Sequence, residues 1–318
     1  MKFRFWTNSS ATPSALKKPL PDWKMRLKLR PDIGFILIAC VGFAFGLPAH
    51  ANGFRLTTWN MDWLTLRTPG TDSDLPPNIP HRHDKDYAAL ATYAQRLHAS
   101  LIAFQEADGA EVARRIFPAS EYRLFLTDDK IIQRVGIAAD LALQITRNPD
   151  LTALNVYSSQ AAHPLRSGLD ITVNFSSSNL RILVVHLKTG CWDDPLPSRK
   201  QVCQVLQKQA AILRMWLSQR QEDHVPFVIM GDFNRRLAPH DDFFLELTQG
   251  INLALPTTGM ASPCHGGEYF IDNILLGNGA QNWLQPNSLK VMTFANERPE
   301  DAERLSDHCP VSIGLTPK

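Results

Sequence analysis

Several apolar runs of strand length in this chain border polar residues of the kinds that bind metal ions and transfer protons. These polar places are Thr58-Trp59-Asn60, Gln105-Glu106, His186, Gly231-Asp232-Phe233-Asn234 and Ser306-Asp307-His308. The apolar runs alternate with helical stretches between residues 54 and 315, which predicts an α/β fold. Because active sites of α/β sheets collect at strand ends, we expect these polar residues to form a functional site.

The predicted strands are short, and two predicted helices are clearly amphipathic. The strands cover residues 54–59, 101–105, 135–143, 171–175, 180–187, 227–230, 270–276, 289–294 and 311–315. The helices cover residues 86–98 and 199–221, and each has an apolar face that we expect to pack on the core.

Residues 65–85 have no periodicity and are rich in Pro, Asp and His, which predicts a long loop. Four polar residues of this loop either contact substrate or face solvent: His81, Arg82, His83 and Asp84. Four apolar residues near turns are predicted to pack in the core rather than to face a membrane: Trp63, Leu64, Trp283 and Leu284.

An uncharged apolar run, residues 33–49, has the features of a secretory signal peptide in their usual order. It is preceded by four basic residues, Lys24, Arg26, Lys28 and Arg30. We expect translation to start at Met25 and cleavage to follow Ala51, so that the mature protein begins at Asn52 in the periplasm or the medium. An uncleaved anchor is the alternative, because about 17 apolar residues just reach across a bilayer.

The formal charge of +2 for the 318 residues owes its sign to this leader. Residues 1–51 hold eight of the 33 basic and two of the 31 acidic residues, so residues 52–318 carry 25 basic and 29 acidic residues, a charge of about −4. Nucleic-acid binding would therefore need a local patch or a metal ion. Residues 52–318 contain no repeat, low-complexity tract or linker and are predicted to form one domain.

Four cysteines follow the leader, which is the even number expected of a protein in an oxidising compartment. Cys191 and Cys203 flank a short Pro-rich loop and are predicted to form a disulfide at the start of a helix. Cys264 and Cys309 either form a second disulfide or leave Cys309 as a buried thiol. Cys-His spacing typical of zinc sites is absent, so a structural zinc ion is not expected.

The polar residues at the strand ends comprise one Glu, two Asp, two Asn and two His, with no nucleophilic Ser or Cys. Such a set suits a hard divalent cation, Mg²⁺ or Mn²⁺, with positions open for phosphate oxygens and water. If the strand continues, Asp232 and Asn234 share a face, where Asp232 could take a proton from water and Asn234 could orient a phosphate oxygen or that water. A cationic His308 could stabilise charge on phosphorus, with Asp272 as its acidic partner.

Six segments, in this order, resemble the motifs of the endonuclease/exonuclease/phosphatase superfamily, whose fold is that of deoxyribonuclease I. They are Thr58-Trp59-Asn60, Phe104-Gln105-Glu106, His186-Leu187-Lys188, Gly231-Asp232-Phe233-Asn234, Ile271-Asp272-Asn273-Ile274-Leu275 and Ser306-Asp307-His308-Cys309-Pro310-Val311. The resemblance spans residues 54–315. It implies a four-layered α/β/β/α sandwich of two packed mixed β-sheets flanked by helices, and Mg²⁺-dependent cleavage of a phosphoester by in-line attack of water.

The resemblance also implies roles for individual residues. Glu106 would bind the metal, with Asn60 and Asp307 near it. His186 resembles the second histidine of the deoxyribonuclease and sphingomyelinase branches, and Glu121 is either its acidic partner or a surface residue. The roles in water activation, phosphate alignment and charge stabilisation would belong to Asp232, Asn234, His308 and Asp272. The metal-site tyrosine and the DNA-intercalating loop of the abasic-site branch have no clear match.

Three functions are compatible with this sequence. The first is an exported Mg²⁺-dependent nuclease, and the second is a phosphodiesterase or phosphatase acting on a lipid headgroup, an inositol phosphate or another small phosphoester. The third is a binding protein that has lost catalysis, which the presence of Glu106, Asp232 and His308 disfavours. We expect a monomer with no stable protein partner and no transmembrane segment in the mature chain.

Overall fold

A computed structural model describes residues 53–68, 75–158, 161–264 and 267–318. All of these residues belong to the unit His50–Lys318, one of two into which the chain divides. The other unit is Met1–Ala49, and the predicted leader and its cleavage point lie outside the described residues. No helix within the described ranges is long and apolar enough to span a bilayer.

The described residues contain twelve strands and five α-helices. The strands are β1 Phe54–Leu64, β2 Leu101–Ala107, β3 Tyr122–Leu126, β4 Arg134–Asp140, β5 Gln144–Arg147, β6 Leu169–Asn174, β7 Asn179–His186, β8 Phe227–Asp232, β9 Leu253–Ala254, β10 Asp272–Gly277, β11 Lys290–Val291 and β12 Val311–Leu315. The helices are α1 Asp84–Arg96, α2 Ala110–Ile116, α3 Gln201–Glu222, α4 Asp242–Thr248 and α5 Pro299–Leu305.

The strands form two six-stranded mixed sheets. The first has the order β11-β12-β1-β2-β4-β3, and the second has the order β5-β6-β7-β8-β10-β9. Strands β1 and β2 are parallel, as are β7 and β8, whereas the other neighbours are antiparallel. Each parallel pair is joined by a segment that contains a long helix, α1 or α3, because parallel strands need a crossover connection.

The side chains of β8 show how the layers pack. Val228 and Met230 point into the apolar core between the two sheets, whereas Phe227 and Ile229 point outward against α3 and α4. Because both faces of this strand are buried, its sequence is a continuous apolar run. Helices α1 and α2 cover the outer face of the first sheet in a separate cluster. The order helix, sheet, sheet, helix confirms the predicted four-layered sandwich.

The differences from the predicted elements are at sheet edges and in short helices. Strands β3 and β5 were not predicted, because each lies at an edge and leaves side chains exposed, which weakens the apolar pattern. Helices α2, α4 and α5 have only seven residues each and were also missed. The predicted strand 289–294 is reduced to the two residues of β11.

Gly231 allows β7 and β8 to approach each other just before the polar end of β8. Its φ is +145°, and a Cβ atom there would lie 1.9 Å from the carbonyl oxygen of Val185. We expect Gly231→Ala to lower the free energy of unfolding by about 3 kcal/mol, because a backbone carbonyl cannot move aside as a flexible side chain can. Urea denaturation measures the change. The control is Gly250→Ala, which also has a positive φ but no atom within 4 Å, and an equal loss in both variants would contradict the steric explanation.

Two disulfides crosslink the described residues, one between a loop and helix α3 and one between two loops. Cys191 and Cys203 are bonded, with Cα atoms 5.1 Å apart, which confirms the predicted bridge. Cys264 and Cys309 are also bonded, with Cα atoms 6.0 Å apart, so Cys309 is not a free thiol. All four cysteines after the leader are therefore paired, as is typical of proteins from oxidising compartments.

Candidate active site

Three polar side chains at one end of the second sheet lie on the face of that sheet that packs against the first sheet. His186 on β7 is in register with Asp232 on β8, which is in register with Asp272 on β10. Side chains in register on neighbouring strands share a face, and the residues two positions away in each strand are buried between the sheets. The three polar side chains therefore face the first sheet, and all three are buried.

Asn60 and Glu106 come from the first sheet and meet this row. The Nδ2 atom of Asn60 lies 3.2 Å from Glu106 Oε1 and 3.0 Å from Asp232 Oδ2, and it donates hydrogen bonds to both. The pairing of β1 with β2 changes register after Asn60, and Glu106 has a left-handed φ of +62°. Such a conformation is costly for a residue with a side chain and often marks a functional site. Asn60 thus links the carboxylates of the two sheets.

Asn234 reaches Asp232 by a different route from the one predicted. Strand β8 ends at Asp232, and Asn234 follows it with a left-handed φ of +50°. The Asn234 N–H donates to Asp232 Oδ1 at 2.7 Å, and its Nδ2 donates to Asp232 Oδ2 at 3.1 Å and to the Leu187 carbonyl at 3.2 Å. Phe233 packs on the opposite side, against the helical layer. A continuing strand face is therefore wrong for Asn234, and a tight turn brings the two side chains together instead.

His308 lies in the loop before β12 and pairs with Asp272. Its Nδ1 is 2.7 Å from Asp272 Oδ2. Ser306 holds the loop in place, because its Oγ donates to the Asn60 carbonyl at 2.7 Å and accepts the His308 N–H at 3.0 Å. Burial alone would lower the pKa of His308, but the charge of Asp272 and the hydrogen bond to it hold this pKa well above its ordinary value. His308 is therefore a buried cation.

His186 is a second buried histidine, and it is neutral. Burial holds its pKa well below the ordinary value, and the positive charges of Arg166 and His308 lower it further. Its Nε2 lies 3.5 Å from both Glu106 Oε1 and Asp232 Oδ2. Because the ring is neutral, these contacts are not ion pairs. Its Nδ1 has no hydrogen-bond partner among the residues that the structure describes.

The structure places Asp307 at the rim of this cluster and Glu121 away from it. The Asp307 side chain is 71% exposed, and its Oδ1 is 3.7 Å from His308 Nε2. Glu121 is exposed and accepts a hydrogen bond at 3.5 Å from Gln95, on helix α1. Glu121 is therefore a surface residue, and it is not the acidic partner of His186.

Asp62 and Trp63 also belong to the site. Their backbone N–H groups donate to Asn60 Oδ1 at 2.9 Å and to Glu106 Oε2 at 3.1 Å, respectively. Burial raises the pKa of Asp62 to about 7, and the nearby carboxylates of Asp307 and Glu106 contribute to the shift. The two-residue spacing from Asn60 is the signal in the sequence that points to Asp62. Trp63 is partly exposed and lines two cavities, so its predicted place in the core is wrong.

Arg82 is buried and hydrogen-bonded to backbone carbonyl groups, so it does not face solvent as a loop residue would. Its guanidinium donates at 2.7 to 3.1 Å to five carbonyl oxygens, those of Met61, Asp62, Trp63, Arg304 and Leu305. These contacts fasten the end of β1 to the segment that precedes His308. The flanking residues His81, His83 and Asp84 are exposed.

Arg166 is a buried cation that the motifs do not indicate. It lies before β6 and donates from Nη2 to the Leu187 carbonyl at 2.7 Å, while its Nε has no hydrogen-bond partner within the described ranges. Burial lowers the pKa of Arg166, and the negative charges of Glu106 and Asp232 oppose that change. The site therefore holds two buried cations, Arg166 and His308, near its carboxylates.

The residues of the site fit a divalent cation on the Glu106 side. Three carboxylates lie near one another there, because the negative charges of Asp307 and Glu106 both raise the pKa of Asp62. Carboxylate and amide oxygens are the ligands that Mg²⁺ and Mn²⁺ prefer, and like charges this close favour a bound cation. Possible ligand atoms of Asp232, Asp272 and His308 lie within 4.8 Å of one another, but Asp272 and His308 already bond to each other. Glu106, Asn60, Asp62 and Asp307 offer oxygen atoms that could hold such a cation instead.

The comparisons with known proteins agree on the fold. No protein-family model matches the chain, and no curated protein sequence matches it. Three of the similar solved structures are matched by this chain over nearly all of their length. Danio rerio TDP2 complexed with a single-strand DNA product has a TM-score of 0.55 and 16% identity, and the match covers 83% of this chain and 99% of that one. The Bacteroides thetaiotaomicron mannosyl-6-phosphatase Bt3783 has a TM-score of 0.52 and 14% identity, with 83% of this chain and 99% of that one covered. The 3′ phosphatase NExo from Neisseria, bound to a product DNA hairpin, has a TM-score of 0.50 and 16% identity, with 82% of this chain and 99% of that one covered.

These likenesses and the layer order identify the class. The protein has the deoxyribonuclease I-like fold, which is the fold that the resemblance in its sequence implies. At these levels of identity the comparisons establish the fold, and the activity has to be argued from the site itself.

Proposed function

We propose that this protein is an exported, divalent-metal-dependent phosphoester hydrolase, and specifically a nuclease. The observation that carries the proposal is that Asp232, at the end of a strand of the second sheet, is hydrogen-bonded to Asn60 of the first sheet. The Oδ2 atom of Asp232 accepts hydrogen bonds from Asn60 and Asn234. Burial raises the pKa of Asp232, but the positive charge of His308, which pairs with Asp272, lowers it and so favours the carboxylate form. A carboxylate held in this way, between a cation and a cluster of oxygen ligands, suits the activation of water beside a phosphate.

In this proposal, Asp232 accepts the proton of the attacking water. Burial raises the pKa of its carboxyl above the ordinary value, which makes it a stronger base than an exposed aspartate. Both carboxylate oxygens are held by hydrogen bonds, Oδ1 by the Asn234 N–H and Oδ2 by the side chains of Asn60 and Asn234. These bonds fix the direction of the base and leave little rotational freedom to be lost in the reaction.

The positive charges would stabilise the negative charge that builds on the phosphate oxygens. His308 is held as a cation by Asp272, and Arg166 offers a guanidinium whose Nε has no partner among the described residues. Preorganised cations in a site shielded from water stabilise a transition state more than exposed cations do. Glu106, Asn60, Asp62 and Asp307 would hold the divalent ion, which when bound supplies Lewis-acid polarisation of a phosphate oxygen.

Two features support nucleic acid as the substrate. The TDP2 and NExo structures of the same fold are complexes with DNA products, and a cavity beside the site carries several cations. The mannosyl-6-phosphatase supports the second candidate function, hydrolysis of a small phosphate ester. Export is supported by the predicted leader and by the two disulfides.

The proposal is tested by hydrolysis assays on the purified protein with supercoiled plasmid, single-stranded DNA, bis-p-nitrophenyl phosphate and p-nitrophenyl phosphate. We expect nicking or shortening of DNA with Mg²⁺ or Mn²⁺ and none with EDTA, because the bound ion would supply the Lewis acid that the chemical step needs. Turnover of the small esters with intact DNA would instead establish the second function. Inactivity on every substrate with either metal would contradict a phosphoester hydrolase.

Glu106→Gln is the control for the metal. The amide keeps the shape of the side chain and removes the charge, so this variant should fold normally but need a higher Mg²⁺ concentration for half-maximal activity. An unchanged Mg²⁺ titration would remove Glu106 from the ligand set.

Detection of the protein in the medium or the periplasm of its source cells tests the export.

A further inference from the structure

A cavity of about 720 Å³ lies beside the candidate active site and shares Trp63 and Arg166 with it. Its other lining residues come mainly from two segments, residues 128–134 and 162–164, together with Arg67 and Asp108. A volume of this size is typical of pockets that bind small ligands or parts of larger ones. The cavity thus offers room for a portion of the substrate next to the reacting phosphate.

The acidic residues of this cavity are engaged in bonds of their own. Asp108 accepts from Thr65 at 2.7 Å and pairs with Arg67 at 3.1 Å. Asp128 pairs with Arg147 at 3.0 Å. Asp129 accepts the N–H and the hydroxyl of Ser167 at 2.9 and 2.6 Å. The negative charges that line the cavity are therefore neutralised or hydrogen-bonded.

Most basic residues of the cavity are not paired with a carboxylate, and Arg67, which pairs with Asp108, is the exception among the described residues. Within the described ranges, no carboxylate pairs with Lys130, Arg134, His163 or Arg166. The Nε atoms of Arg134 and Arg166 are buried without a hydrogen-bond partner in these ranges. Lys130 and His163 are exposed at the rim. Arg134 and Arg166 each donate to a carbonyl oxygen, those of Asp108 and Leu187. Basic groups without a carboxylate partner around one cavity are typical of a phosphate-binding site.

Trp63 also lines a second cavity, in which acidic residues outnumber basic ones. This cavity of about 640 Å³ is lined by the carboxylates of Asp62, Asp307 and Glu303 and by one basic residue, Arg304. That cavity suits the cation and repels further anionic groups. A second phosphate of the substrate therefore fits the cavity that contains Lys130 better, because basic residues outnumber acidic ones there. Since residues 52–318 carry a charge of about −4, this local set of cations matters for any polyanionic substrate.

We propose that this cavity binds the phosphodiester of a nucleic-acid strand that adjoins the scissile phosphate, with Lys130 and Arg134 as specificity-determining residues. This inference rests on the proposed nuclease function. A nucleic acid fits better than a small phosphate ester because the cavity combines the cations with apolar surface. The partly exposed ring of Trp63 and the side chains of Ile131 and Ile132 offer that surface to a base or sugar.

The test measures binding of short oligothymidylates by calorimetry in EDTA, where the proposed hydrolysis is prevented. Single linkages are replaced in turn by a neutral methylphosphonate. We expect the replacement at one linkage to weaken binding about 10-fold in the wild-type protein and at most about twofold in Lys130→Gln, because in the variant that linkage has already lost its cationic partner. The salt dependence of binding should also fall by about one phosphate contact in Lys130→Gln.

Two further variants keep this test decisive. Lys208→Gln removes an exposed lysine from helix α3 and should bind every oligonucleotide as the wild type does. Arg134→Gln should act as Lys130→Gln does, at the same linkage. If no linkage depends on Lys130 or Arg134, the inference is overturned, even where DNA is hydrolysed. If inositol hexakisphosphate binds in a Lys130-dependent way and oligonucleotides do not, a small polyphosphate is the occupant and the assignment to nucleic acid is overturned.

The inference and the proposed function fail in different ways. A Lys130-dependent linkage in a protein that cleaves no DNA with any metal would support the cavity as a nucleic-acid site and contradict the nuclease. Cleavage of DNA with equal binding by the wild type, Lys130→Gln and Lys208→Gln would support the nuclease and contradict the cavity.

Discussion

His308→Ala should lower kcat for DNA cleavage by about 10²-fold or more, with a smaller change in KM. The variant removes a cation that Asp272 holds at 2.7 Å beside the proposed base Asp232. The loss should appear chiefly in kcat, because this charge is needed most when negative charge builds on the phosphate. Steady-state kinetics on a labelled oligonucleotide measures the effect.

The alanine variant leaves Asp272 as a buried carboxylate without its partner, which can itself destabilise a protein. His308→Gln is therefore the companion variant, since its amide can still donate to Asp272 but carries no charge. Both variants should lose activity, and the melting temperature of His308→Gln should stay near that of the wild type. Full activity in a folded His308→Gln protein would remove the imidazolium from the mechanism.

Asp232→Asn should lower kcat by about 10³-fold, within the range that general-base catalysis contributes. The amide has nearly the size of the carboxylate and can still accept one hydrogen bond from Asn60 or Asn234, but it cannot take a proton from water. Single-turnover cleavage under saturating Mg²⁺ isolates the chemical step from substrate binding.

Asn234→Ala is the matched comparison for Asp232→Asn. It removes the side-chain bond to Asp232 Oδ2 but leaves the backbone N–H bond to Oδ1. We expect an intermediate loss of activity, because the base is then less well oriented but still present. If Asp232→Asn were as active as the wild type at saturating Mg²⁺, another group would have to accept the proton.

The order of the predicted strands and the residue types at their ends follow from local patterns. An apolar run such as that of β8 needs only its own residues to be recognised, because both of its faces are buried. The polar residues that interrupt such runs, among them Asp232 and Asp272, mark places where burial must be compensated by a partner. The superfamily resemblance rests on these same residues.

The positions of Arg82, Arg166 and Trp63 do not follow from such patterns. Arg82 lies in a segment without periodicity, and its role depends on carbonyl groups from the end of strand β1 and the end of helix α5. Arg166 has no motif around it, and its proximity to Glu106 depends on how the two sheets face each other. Trp63 is apolar and near a turn, so its sequence context favours the core, yet the left-handed turn at the end of β1 leaves it between two cavities.

The local patterns of the sequence therefore determined the α/β class, the order of most strands and the chemical types at their ends, because burial and hydrogen-bonding requirements act within a few residues of each position. The four layers were implied by the resemblance to known motifs. Only the tertiary structure decided which of these groups touch. Asn60 and Asp232 are 172 residues apart and are joined by a 3.0 Å hydrogen bond across the two sheets. Contacts of this kind depend on sheet packing and on single left-handed residues such as Glu106 and Asn234, which no local pattern encodes.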